Sequence, residues 1–134
     1  MEWAVILISS FAAVLQTLQT WHELRGGSTT AVQVRQLTKA EIIEAAAVLK
    51  GVLSEETLKM MAERVKACET RFSEILKNTD YLPSEKDQAS VALGACMCRE
   101  LWRIKHANGT LPEGYCEEVR YTLDCQNREP QIHA

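Results

Sequence analysis

The chain has 134 residues, 46% of them hydrophobic and 25% charged, the make-up of one folded domain and too little length for two ordinary ones. A net charge of −3 speaks against a nucleic-acid binder, because such proteins usually carry a clear basic excess. Five cysteines cannot all pair within one chain, and no segment combines a basic start with a small-residue cleavage site, so the reducing cytoplasm is the expected compartment.

Residues 1–25 open with a dense apolar run from Trp3 to Leu15 and then turn half polar through Gln16, Thr17, Gln19 and Thr20. A hydrophobic helix over 2–25 is predicted. Ala4, Leu7, Phe11, Val14, Leu18 and Trp21 recur at intervals of three and four, the seam that a helix offers to a partner helix. The same segment has a second reading as a membrane anchor. Trp3 and Trp21 bracket about 27 Å of helix, close to the thickness of the apolar slab, although two glutamines within lipid are costly. In that reading Arg25 keeps the following domain in the cytoplasm.

Residues 26–37 are a linker. Gly26 and Gly27 end the first helix, and Val32 and Val34 hint at a short extended arm. A helical domain over 38–126 follows, an all-α bundle of about four helices near 38–50, 54–78, 84–107 and 113–125. Thr38 with Glu41 forms a capping box for the first of these, Ile42, Ile43, Ala46 and Leu49 make a thin apolar face, and Gly51 is the expected stop. Ser54 starts the longest helix, whose seam is Leu58, Met61, Val65, Cys68, Phe72 and Ile75, and whose expected use is core packing.

Ser84 with Asp87 reads as a second capping box, opening a helix that carries LGACMCRELWRIK, residues 93–105. Residues two apart on a helix face nearly opposite ways, so Cys96 and Cys98 cannot grip one ion together. One stripe of this helix holds Ala89, Leu93, Cys96, Met97 and Ile104. The other holds Val91, Ala95, Cys98 and Trp102. The pattern predicts a central helix packed on both sides, with both cysteines as buried unreactive thiols. Glu100 falls within the first stripe, where a carboxylate wants a cation such as Arg64 or Arg71. Asn108-Gly109 ends the helix, a last one is expected over 113–125 with Tyr115, Val119 and Leu123 on its face, and 127–134 is a polar tail.

No phosphate-binding glycine loop, HExxH helix, GxSxG elbow or calcium loop occurs in the chain, and no catalytic or cofactor-binding residue is assigned. The leading expectation is a non-enzymatic protein-interaction or signalling module. Leu7, Phe11, Val14, Leu18 and Trp21 would serve a homo-oligomer or a helical protein partner, or the segment would attach to a membrane. The alternative is a cysteine-dependent redox-sensing or metal-binding protein, with zinc or an iron–sulfur cluster held among Cys68, Cys96, Cys98, Cys116 and Cys125. A third is an anion or nucleotide sensor in which Arg99, Arg103 and His106 make the contact.

Overall fold

The structure is a computed structural model that describes residues 2–24 and 38–107. Four helices make up nearly all of that region: α1 (Trp3–Leu24), α2 (Lys39–Val52), α3 (Glu55–Lys77) and α4 (Pro83–His106). No strand occurs among the described residues, and the all-α fold expected from periodicity is what forms. The linker and arm over 26–37, the expected helix over 113–125 and the tail over 127–134 lie outside the described residues.

Local chemistry accounts for most helix ends. Thr38 Oγ1 accepts from the Glu41 amide at 3.2 Å while the Thr38 amide donates to Glu41 Oε1 at 3.1 Å, the reciprocal pair of a capping box. Ser54 accepts from the Thr57 amide at 3.2 Å and caps α3. Two ends differ from the expectation. Helix α2 runs through Gly51 to Val52, and the Leu53 amide closes it on the Leu49 carbonyl at 2.9 Å. Helix α4 starts not at Ser84 but with Leu82 as its cap and Pro83 as its first residue, where a fixed φ and a missing N–H cost nothing. Glu85 accepts the Leu82 amide there at 2.9 Å, and Leu82 has no side-chain acceptor to return the bond.

Helix α1 tolerates its hydroxyls because they bond inward. Ser10, Thr17 and Thr20 donate to the carbonyls of Ile6, Ala13 and Gln16, four residues back, at 2.7, 2.9 and 3.0 Å. Its buried stripe includes Ile8 and Leu15 besides the whole expected seam, which is wider than a two-helix contact needs. The consequence is positional: α1 touches α2, α3 and α4, whereas α2 packs chiefly on α1 and α4 chiefly on α3.

The middle of the described bundle therefore belongs to α1, not to α4. The first stripe of α4 is buried at Leu93, Cys96, Met97 and Ile104, as expected. Its second stripe is not uniformly covered: Cys98 is buried, Ala95 and Trp102 are half-buried and Val91 is exposed. A short connection makes α3 and α4 a hairpin, and α4 spends most of its apolar surface on α3.

Candidate functional site

The groups of chemical interest gather on the α3–α4 seam. The Lys86 ammonium donates to the Leu76 carbonyl at 3.0 Å, Cys96 Sγ lies 4.0 Å from the Arg64 carbonyl, and Arg64 Nε lies 3.2 Å from Glu100 Oε1. Positions fall along α3 as they rise along α4, so the helices run antiparallel. Arg64 opposite Glu100 sets a register in which the next turn of each helix brings Cys68 opposite Cys96. Cys68 lies near enough to Cys96 to push the Cys96 thiol up.

Glu100 is fully buried, and Arg103 Nη1 donates to both of its oxygens, at 3.0 and 3.1 Å. The Arg64 contact is different in kind, since its buried N–H is misaligned for a hydrogen bond and the attraction is coulombic. Loss of water pushes the Glu100 carboxyl above its ordinary value, and the positive charges of Arg103, Arg64 and Arg99 offset only part of that. Of the two cations foreseen for Glu100, Arg64 is the one that meets it. Arg71 is exposed.

Cys96 is 7% exposed and its thiol is pushed up to about 12, first by burial, then by the hydrogen bond and negative charge of Cys68 and by the charge of Glu100. It is protonated at neutral pH and is no spontaneous nucleophile. Cys68 is half-buried, and both are free thiols. Cys98 overturns the expectation of two free core thiols, because it is disulfide-bonded. The opposite facing of positions two apart explains the split: one sulfur meets α3 and the other is turned away from it.

Cys116 and Cys125 lie outside the described residues, and no three His, Cys, Asp or Glu side chains converge among the described ones. The basic stripe of α4 is divided. Arg103 turns inward to Glu100, the His106 ring lies 4.0 Å from that of Trp102, and Arg99 is exposed. Leu7, Phe11, Val14, Leu18 and Trp21 are all in the core, each at most 6% exposed. Both indoles of α1 have partners inside the chain. Trp21 Nε1 donates to Asp87 at 3.1 Å, and the Lys59 ammonium lies 5.7 Å from the centre of the Trp3 ring.

A recess of about 300 Å³ between α1 and α3 has Val5, Ile6 and Ala13 along one wall and Lys66, Glu69 and Thr70 along the other. Glu69 there accepts from the Ser73 hydroxyl at 3.0 Å and lies 3.1 Å from the Thr17 hydroxyl, whose one hydrogen is shared with the Ala13 carbonyl. Sequence reasoning missed two features, the Cys68–Cys96 contact and the exposed apolar face of α2. For the first a signal existed: both cysteines lie on seams, each four residues from a member of the Arg64–Glu100 pair. Comparison with family models, with curated proteins and with solved structures finds no match to this chain.

Proposed function

We propose that the chain is a non-enzymatic helical interaction module that self-associates through the outward face of α2. The observation that carries this reading is Ile43, 55% exposed on a helix that packs on α1 by the face carrying Ala45, Ala46 and Leu49, with Ile42 at its edge. Ala40, Ile43, Ala47 and Gly51 follow one another at three- and four-residue steps, and all are exposed. A side chain at Gly51 would meet nothing within 4 Å, which leaves room for a second backbone to approach closely. Exposed Glu44 and Lys50 border the stripe, and an antiparallel second copy sets Glu44 of one chain near Lys50 of the other, which its own Glu2 also meets at 3.1 Å.

The test is the mass of the full chain in solution, by light scattering over a range of concentrations. A dimer is expected, with Ile43→Lys returning it to a monomer at unchanged helical content. A wild-type chain that stays monomeric at every concentration rejects the proposal.

A second reading rests on α1, whose Trp3–Trp21 stretch is long and apolar enough by length and composition to cross a membrane and is also a buried core helix. Membrane attachment would require that core to open, and recovery of the expressed protein without detergent would reject it. The Cys98 disulfide supports folding in an oxidising compartment rather than in the cytoplasm.

A further inference from the structure

We propose that Cys68 and Cys96 are a reversible oxidation site, a thiol pair that closes into a disulfide and staples α3 to α4. Three observations meet at this position. The α3–α4 register places the two residues opposite each other, one turn beyond the Arg64–Glu100 contact, and that ion pair holds the register. The Cys96 thiol donates to the Arg64 carbonyl at 4.0 Å, one turn before Cys68 on α3, and the Cys68 side chain is near enough to push the Cys96 thiol up. Cys98, two residues from Cys96 on the same helix, is disulfide-bonded, so oxidation of thiols belongs to the chemistry of this chain.

The two sulfurs have unequal access, and that sets their order of reaction. Cys68 is half-buried and is the sulfur a small oxidant can reach, whereas Cys96 is buried against α3. With a low-molecular-weight disulfide of the glutathione class, the Cys68 thiolate attacks one sulfur and forms a mixed disulfide, releasing one small thiolate. Once Cys68 is in the mixed disulfide its negative charge no longer opposes ionisation of Cys96, which attacks the Cys68 sulfur as its proton passes to the departing small thiolate, forming the protein disulfide and releasing the second small thiol. The two protons lost by the protein thiols end on the two released thiols, and the small disulfide is reduced as the pair is oxidised. Closure requires the two sulfurs to reach the about 2 Å of a disulfide bond with the two Cα atoms roughly 4.4–6.8 Å apart.

The full chain, treated with excess glutathione disulfide and digested without reductant, is expected to yield a peptide linking Cys68 to Cys96 and a protein mass lower by about 2 Da for the two hydrogens lost. Because the bond closes a long loop, the melting temperature of the oxidised chain is expected to rise on the order of 10 °C and to fall back on mild reduction. Cys68→Ser keeps the size of the side chain and abolishes both the link and the shift. A chain in which Cys68 is recovered only as its glutathione adduct, or linked to any cysteine other than Cys96, overturns the proposal, and this readout in the wild-type chain depends on no variant.

Discussion

Glu100 shows how one side chain is decided by competing terms of similar size. Taking a carboxylate out of water is worth several kcal/mol against ionisation, and a pair of guanidiniums returns much of that. The two arginines keep over a third of their side chains in solvent, which weakens their field, so burial wins and the group's affinity for a proton is raised. The folded state therefore holds the Glu100 proton more tightly than the unfolded state does. Stability from this group is fully present below the ordinary value of 4.5 and is lost as pH rises through the raised folded value. Replacement by Gln, which cannot ionise, is expected to flatten that part of the profile, seen as urea midpoints that no longer drop above pH 4.5. An unchanged slope would mean that Glu100 is as well solvated as an ordinary carboxylate. The cation requirement of this position is visible in the sequence from its place among Leu93, Met97 and Ile104, but the partner's identity waits on the register of α3 against α4.

At the scale of the element, the ends that depend on residues three or four apart are readable and the ones that depend on more are not. The Thr38 and Ser54 caps form as their sequence spacing predicts, because donor and acceptor are neighbours in the chain. Ser84 fails as a cap because Pro83 is a better first residue than a cap neighbour, and Asp87 is used instead by Trp21, 66 residues away. Gly51 is the opposite lesson. Taken as a stop, it lies inside the last turn of α2 with nothing of its own chain near its missing side chain, so in the monomer its effect is the added backbone entropy of the unfolded state. Gly51→Ala is expected to stabilise the fold by about 0.5–1 kcal/mol, measured as a higher urea midpoint at unchanged slope. A loss of stability there would show that the glycine serves a close contact, and at concentrations where the chain is dimeric that contact is the one proposed for α2.

For the whole molecule, the placement of α1 governs everything else. Helices of 14, 23 and 24 residues are marginal on their own in water, and α2 and α3 owe their apolar contacts largely to α1. A chain lacking residues 1–24 is expected to lose its cooperative urea transition and much of its far-UV helical signal. A truncated chain that still unfolds in one sharp step would show that the remaining helices form a core without α1. The sequence alone suggests the reverse, because Gly26 and Gly27 set the apolar segment apart and the rest already resembles a complete bundle. The error is one of arrangement, since the apolar stripe itself was legible residue by residue.

Helix number, type and most boundaries in the described region follow from the sequence by itself, and so do the buried stripes of α1 and α3, whereas Ile43 and Val91, expected on packed faces, are exposed. The legible features are written in periodicity, caps and breaks, which act over a few residues and need no partner. The central place of α1, the antiparallel register that joins Arg64 to Glu100 and Cys68 to Cys96, and the bonded state of Cys98 were decided only by tertiary structure. Each of these depends on which apolar faces cover each other, a choice made by packing between segments tens of residues apart, and several arrangements of the same faces satisfy the local rules equally well.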